Sequence, residues 1–545
     1  MTMNTFQSIR QIFNRHQLLM LSILTGVLLS LSWPARGFPF IAFVAFVPLL
    51  FMEDQIFRNR ERHRTISVFF HAWVAFLVFN ICTTWWIMYA TLPGMVVAML
   101  LNALFMSVPV GLMHIGRRVL PGRQGPVSLL FFWLSFEYLH GRWDLSWNWL
   151  DLGNAFAAFP AWVQWYEYTG VAGGTAWILA MNLVVYECWK QRGQTRKMAI
   201  LSGLAAVVFL VPSVISFSIW HRYVEAEDPV EVVVIQPSID PYDHARTIEE
   251  AQRRIDHMIA LADKSITPET RFVVAPEGAS PHGIWMEQEE RHLMVRAIRG
   301  HISMHPGIAW VFGSMVYRQY GPGEKAPPSA REDPGGGKVD VYNSSLIIEN
   351  GTAAAFYHKS KLVPGIEQMP FHRVLKPVGK LVEKFGGTAG SLGRQDRRGV
   401  FRNTDGIAVA PVICYESIYG DYMRGYYTQG AGLIFIMTND GWWRNTPGHR
   451  QHNQYARLRA IESRKSIARA ASTGISSFIN QRGEMQKRSA WWEPVSMVYT
   501  LNQNHRLTFF VLHGSVAGKL SLFISALFIL YMISQRMIRK PGGSS

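Results

Sequence analysis

Three runs of strand-like composition each end on or near a group able to do chemistry: FVVAPE on Glu277, AAFYHKSKLVPGIE around Lys359, and VAPVIC on Cys414. A cysteine that attacks a carbonyl needs a base to take its proton, and a cation or N–H donor to hold the oxyanion that then forms. Glu, Lys and Cys supply those roles. Taken singly, each has an ordinary reading: a strand-end Glu or Lys is usually solvated, and a free thiol is often a small buried hydrophobe. Cysteine usage sharpens the case, because the chain has only three and two of them, Cys82 and Cys188, lie inside apolar runs. Cys414 is left without an obvious disulfide partner.

The order Glu, Lys, Cys resembles that of the nitrilase superfamily, and the wider pattern is similar to that of the apolipoprotein N-acyltransferases. YHKSKLVPGIE resembles their Y-x-K-x-x-L-V-P-x-x-E segment, and VICYES their Cys-Tyr-Glu motif. TNDGWWRNTPGHRQHNQYARLRAIESR is similar to their Asn-Asp segment followed by Gln-His and Arg-Ala-x-Glu, while WNWLDLGN and WYEYTGVAGG resemble motifs ahead of their sixth membrane helix. The resemblance implies that Glu277 is the general base, Lys359 the oxyanion cation and Cys414 the nucleophile. Lys361 is the competing lysine, but the family register, two residues after the Tyr and eight before the Glu, selects Lys359 and makes Glu367 the supporting acid. Tyr415 and Glu416 match the residues after the nucleophile, and the Tyr415 N–H is a second oxyanion donor. Asn439, with Gln451 and His452, belongs to the matched segment, either as a loop and helix-cap group or as part of the chemistry. Tyr242 stands near the place of a family Trp, and Gly441, Trp443 and Arg444 replace the more usual Ala, Phe and Gly.

These residues need a scaffold. From Val230 onward, short β-rich runs (VEVVVIQPSI, RFVVAPEGAS, IAWVFGSMVY, VYNSSLIIENG, GIAVAPVICY, GLIFIMTNDG) are bounded by Gly, Pro, Asn or Asp, as strands are. Between them, TIEEAQRRIDHMIALADK and HRQHNQYARLRAIESRKSIARAA space their apolar residues by three and four, which predicts helices. An α/β domain over 221–515 follows, which the resemblance makes an α-β-β-α sandwich. GPGEKAPPSAREDPGGGKVD, with five Gly and four Pro, reads as a hairpin insertion. QMPFHRVLKPVGKLVEKFGGTAGSLG, with Phe371, Val374, Leu375 and Phe385 among Lys376, Lys380 and Lys384, reads either as a lid dipping into the lipid interface or as an ordinary surface loop.

Around this domain lie eight apolar runs, near 17–33, 38–52, 67–90, 94–115, 126–140, 169–188, 198–218 and 520–535, most of them close to the roughly 20 residues a helix needs to span a bilayer. They predict a polytopic membrane domain of about eight helices: seven in 1–220 and one in 516–545. If each run crosses once from a cytoplasmic N-terminus, sixteen Lys and Arg fall on the cytoplasmic side and three in the short outer segments. That asymmetry places 221–515 outside the cytoplasm. Of the formal net charge of +16, the outer domain carries +5, too little and too dispersed for a nucleic-acid-binding module.

The resemblance implies a bacterial inner-membrane enzyme whose catalytic domain faces the periplasm. Its partners are the bilayer, a phospholipid acyl donor and a diacylglyceryl-modified apolipoprotein that accepts the chain on its N-terminal amine. No cofactor is implied: the histidines lack a metal-ligand pattern, and no phosphate loop occurs. The rival is a membrane-tethered amidase that passes the acyl group to water. A transporter or receptor would explain the helices but not the triad.

Overall fold

The structure, a computed structural model, describes residues 3–35, 37–120, 124–321, 323–371 and 390–538. It divides into two compact units: Met1–Trp85 with Met95–Ile219 and Ser515–Ser545, and Trp86–Gly94 with Trp220–Gly514.

Among the described residues, six helical stretches, each lying wholly or mostly in the first unit, are long and apolar enough to cross a membrane: Pro39–Arg58, Thr65–Tyr89, Leu92–Arg117, Val171–Lys190, Thr195–Arg222 and Val516–Ile538. The first and fifth apolar runs form His16–Leu31 and the 17-residue helix Gln124–His140. Helix Thr195–Arg222 shows why these helices belong in lipid: Ile200, Val207, Leu210 and Val214 lie open on its surface, apolar area that water would disfavour. Inside the unit, the buried Glu137 carboxylate accepts hydrogen bonds from Trp133 Nε1 (2.9 Å), the Leu152 N–H (2.9 Å) and Thr175 Oγ1 (2.7 Å). It thereby ties WNWLDLGN to helix Val171–Lys190. A Cβ on Gly153 would lie 2.1 Å from Val171 O, so that junction requires glycine.

The second unit is built on two sheets. The first holds β1 (Pro229–Gln236), β2 (Thr270–Val274), β3 (Ile284–Trp285), β4 (Ala309–Tyr320), β5 (Arg331–Glu332), β6 (Lys338–Ile348) and β7 (Ala355–His358). The second holds β8 (Phe401–Arg402), β9 (Ala408–Ile413), β10 (Leu433–Thr438), β11 (Ser466–Ala471), β12 (Ser477–Ile479) and β13 (Met485–Arg488). A last strand, β14 (Val495–Asn502), returns to pair antiparallel with β1. One core lies between the sheets, where Phe272 meets Phe435 edge to face at 5.1 Å. Another packs the first sheet against helices Ile248–Asp263 and Leu293–Met304. Helices Gly420–Tyr427 and Pro447–Ser463 cover the second sheet through Met423, Tyr426, Ala456 and Ala460. The layers are therefore helix, sheet, sheet, helix. Helix Ile248–Asp263 starts where Thr247 accepts from the Glu250 N–H, with Glu249 and Glu250 in the first turn facing the positive end of the helix dipole.

The helix expected to run on to Ala471 stops at Ser463. Arg464 takes a left-handed conformation (φ 53°), and Ser466–Ala471 becomes β11, fully buried and parallel to β10. Ala and Arg favour helices in isolation, but a strand of small residues fits the closed interior of a parallel sheet, and pairing overrides that preference.

Candidate active site

Four strand ends and the middle of a fifth strand converge. Glu277 follows β2, Asn343 lies within β6, Lys359 follows β7, Cys414 follows β9 and Asn439 follows β10. The turn that delivers Glu277 lies directly on β4: the Gly313 N–H donates to Pro276 O (3.0 Å), and the Ala279 N–H donates to Gly313 O (2.9 Å). A Cβ on Gly313 would fall 2.6 Å from Glu277 Cα, so a side chain there would displace the carboxylate's own backbone.

Lys359 is buried, with its Nζ 2.9 Å from Glu367 Oε1 and 3.4 Å from Glu277 Oε1. Asn343 Nδ2 bridges the same two oxygens at 2.7 Å (Glu277) and 2.8 Å (Glu367). The remaining oxygens accept backbone donors: Glu277 Oε2 from the Asn439 N–H (3.1 Å), Glu367 Oε2 from the Val363 N–H (2.8 Å). Burial alone would lower the Lys359 pKa, but the carboxylates of Glu367 and Glu277 outweigh it and hold the ammonium's pKa above its ordinary value. Lys361 lies outside this cluster, its Nζ 4.6 Å from the centre of the Tyr419 ring.

Cys414 opens a short 3-10 turn in a left-handed conformation (φ 44°), rare for a residue with a Cβ and a way to present a side chain sharply at a strand end. Its thiol is pushed well up, first by burial and then by the Glu277 carboxylate, against the pull of Lys359. The resting thiol is therefore neutral, with a fixed cation beside it. Such a site can move a proton from sulfur to Glu277 and stabilise the thiolate or an oxyanion next to Lys359.

Glu416 stands behind this arrangement and fastens it. Its Oε1 accepts from Tyr357 and Tyr422 hydroxyls (both 2.7 Å) and from the N–H groups of Ser360 (2.8 Å) and Lys361 (3.3 Å). Its Oε2 accepts from the Ile413 N–H (2.9 Å) and the Tyr426 hydroxyl (3.0 Å). One buried carboxylate thus joins the Cys414 turn to the segment carrying Lys359. The Tyr415 ring is buried edge to face with Tyr419 at 5.2 Å.

The residues that depart from the family pattern have physical reasons. A Cβ on Gly441 would lie 2.5 Å from Thr473 Oγ1 and 2.7 Å from Pro241 Cδ. Trp443 packs on Trp86 (4.6 Å) and on His452 (5.7 Å), while Arg444, left-handed at φ 52°, sets its guanidinium 4.9 Å over Tyr89. The Tyr242 hydroxyl donates to Tyr89 O (3.0 Å), and its ring meets Trp442 edge to face at 5.1 Å. Asn439 also caps the turn that follows, its Oδ1 accepting from the Gly441 N–H at 3.2 Å. Asn343 was missed by sequence reasoning, although an Asn within the apolar run VYNSSLIIENG is a signal: a buried amide in a strand needs partners. Of the expected lid, Phe371 is described and 40% exposed, whereas Val374, Leu375, Lys376, Lys380, Lys384 and Phe385 lie outside the described residues.

Among the described residues one His and Asp group is close enough to suggest a metal: Asp263, His301 and His305. The Trp310 indole N–H donates to His301 Nδ1 (3.2 Å), which puts the imidazole proton on Nε2, facing Asp263 Oδ1 at 2.8 Å. That nitrogen is a donor to the carboxylate, not a metal ligand.

The carbon-nitrogen hydrolase family model matches residues 220–504, and the model of the apolipoprotein N-acyltransferase N-terminal domain matches residues 25–184. An apolipoprotein N-acyltransferase of Chlorobaculum tepidum is 26% identical over 94% of this chain and 95% of its own. One from Geobacter metallireducens is 25% identical over 86% of each. Among solved structures, Saccharomyces cerevisiae Nit3, a member of branch 10 of the nitrilase superfamily, is similar with a TM-score of 0.35 at 15% identity, over 51% of this chain and 91% of its own.

Proposed function

We propose, from the premise that this chain belongs to the carbon-nitrogen hydrolase family and groups there with the apolipoprotein N-acyltransferases, that it moves a fatty acyl chain from a membrane phospholipid to a lipoprotein. The acceptor is the α-amine of an N-terminal diacylglyceryl-cysteine, and the chain passes through a thioester on Cys414. The observation that carries this reading is the Glu277, Lys359 and Glu367 cluster bridged by Asn343 beside a strained cysteine, in a chain that also has the matched membrane domain.

In the first half-reaction Glu277 takes the proton from Cys414 Sγ as the sulfur attacks the ester carbonyl. The oxyanion is stabilised by Lys359 and by the Tyr415 N–H. Collapse breaks the ester C–O bond, and the departing lysophospholipid oxygen takes the proton back from Glu277. In the second half-reaction the acceptor's neutral amine attacks the thioester carbonyl and Glu277 removes its proton. The Cys414 sulfur leaves, taking that proton back from Glu277, and an amide remains. Glu367 and Asn343 keep Lys359 and Glu277 in place throughout, and Glu416 and Asn439 hold the backbone around them.

The chain is a membrane protein. We place it in the bacterial inner membrane with about eight crossings, membrane segments in 1–220 and 516–545, and the catalytic domain 221–515 on the periplasmic side. The charge asymmetry of the loops supports that orientation.

Intact-protein mass spectrometry tests the chemistry. Incubation with phospholipid alone should add one fatty acyl mass that hydroxylamine removes, and Cys414→Ala should add none. Glu277→Gln should acylate at least about 100-fold more slowly, having the shape without the base. A diacylglyceryl-cysteine lipopeptide should then discharge the acyl group to its amine with ping-pong kinetics. Release of free fatty acid alone, despite saturating lipopeptide, would establish the amidase instead.

A further inference from the structure

The scheme above uses one end of the peptide group joining Cys414 to Tyr415, its N–H. The other end, the Cys414 carbonyl, is held from behind by side chains with no role in that scheme. The Ser417 hydroxyl donates to Cys414 O at 2.7 Å. His452 Nε2 lies 2.9 Å from Ser417 Oγ and 3.3 Å from Cys414 O. Ser417 has a single hydroxyl proton, directed at Cys414 O, so its contact with His452 requires the proton of that contact on Nε2. That imidazole N–H faces the Ser417 oxygen and, at the longer distance, the nucleophile's own carbonyl.

The imidazole is itself locked. Its Nδ1 lies 3.0 Å from Asp440 Oδ1 and 3.1 Å from Arg469 Nη2. Arg469 Nη2 donates to Asp440 Oδ2 at 2.7 Å, and Thr438 Oγ1 donates to Asp440 Oδ1 at 2.9 Å. Arg469 Nη1 also donates to Ile475 O. His452, Asp440 and Arg469 are all buried, and the Trp443 ring meets the imidazole edge to face. Asp440 opens the 3-10 turn just after β10 and Arg469 lies on β11, so the lock is anchored on the second sheet.

We infer that His452 is a positioning residue for oxyanion stabilisation: by fixing the Cys414 carbonyl, it aims the Tyr415 N–H at the oxygen of the reacting carbonyl. A trans peptide is planar, with its C=O and N–H pointing in opposite directions, so holding one sets the other. The support is needed because Cys414 is left-handed, a conformation that a residue with a Cβ does not keep unaided. Donors on the carbonyl also polarise the peptide and strengthen its N–H as a donor. The inference rests on the proposed reading, in which Cys414 is the nucleophile and the Tyr415 N–H an oxyanion donor.

Two reactions at the same sulfur separate aiming the N–H from activating the thiol. Acylation by a p-nitrophenyl fatty ester passes through a tetrahedral oxyanion, whereas alkylation by iodoacetamide does not. In the full-length protein in detergent, His452→Leu should slow acylation by about 30- to 100-fold in kcat with KM little changed. Alkylation should stay within about 2-fold of wild type. His452→Gln, which restores an N–H donor, should recover at least about 10-fold of the loss, and Ser417→Ala should show the same selective defect more weakly. Parallel loss of both reactions, unchanged acylation, or a Gln variant no better than Leu would each overturn the inference. If His452→Leu does not fold, Ser417→Ala decides by the same comparison. Acylation that persists in Cys414→Ala would instead overturn the reading on which the inference rests.

Discussion

Lys359 balances two carboxylates from inside the protein, which makes it the residue whose loss should be felt most. Lys359→Met removes the cation and leaves Glu277 and Glu367 facing one another with only Asn343 between them. Turnover should fall by about 100- to 1,000-fold or more, because in the proposed scheme an oxyanion group is lost. Lys361→Met loses a cation stacked on Tyr419 and should keep turnover within about 3-fold of wild type. Acyl-transfer rates of the two purified variants check the ranking. The register of YHKSKLVPGIE made the pairing of Lys359 with Glu367 legible in the sequence, since tyrosine, lysine and glutamate lie within eleven residues of each other. Asn343 and His452 were less legible for a physical reason: their partners, Glu277 and Cys414, are 66 and 38 residues away. No local spacing reports such a bond.

Strands were readable in the sequence where they ended on Gly, Pro, Asn or Asp. The transition from helix Pro447–Ser463 to β11 was not, because Arg464 and Lys465 continue the helical composition and only the folded sheet supplies the reason to stop. Lys465 sits at that transition, fully buried, its ammonium donating to the carbonyls of Asn504 and Arg506. Burial lowers its pKa to about 7, far below the ordinary lysine value. The folded state therefore binds fewer protons than the unfolded state between pH 7 and roughly 10, so stability must rise with pH across that window and level off below pH 7, where both states hold the proton. Relative to Lys465→Met, the wild-type unfolding free energy should climb between pH 7 and 9, at a slope approaching about 1.4 kcal/mol per pH unit. Guanidinium unfolding of both proteins in detergent, followed by tryptophan fluorescence, measures that slope. A difference independent of pH would mean that Lys465 keeps its proton when buried.

Across the whole molecule, the proposed eight crossings require that Ser545 be cytoplasmic and the hairpin around Gly336 be periplasmic. Reporters active on only one side of the membrane, fused after Ser545 and inserted at Gly336, should give opposite signals. Signals from the same side would require an odd number of crossings between them to be abandoned. The apolar runs were legible because lipid demands little beyond length and composition, whereas the division of the chain into compact units depends on tertiary contacts. Trp86–Gly94 belongs to the second unit although more than a hundred residues separate it from Trp220. Trp86 is 1% exposed, packed at a tilt against Trp443 and so close to the start of helix Pro447–Ser463 that a Cβ on Gly448 would lie 2.6 Å from its ring. A protein engineer who cut the gene at Trp220 and Gly514 would retain Glu277, Lys359 and Cys414 but discard the indole that backs Trp443, together with the Tyr89 ring beneath Arg444. The excised piece would present a sticky aromatic scar beside His452, and grafting those nine residues onto its N-terminus through a flexible tether is the way to close it.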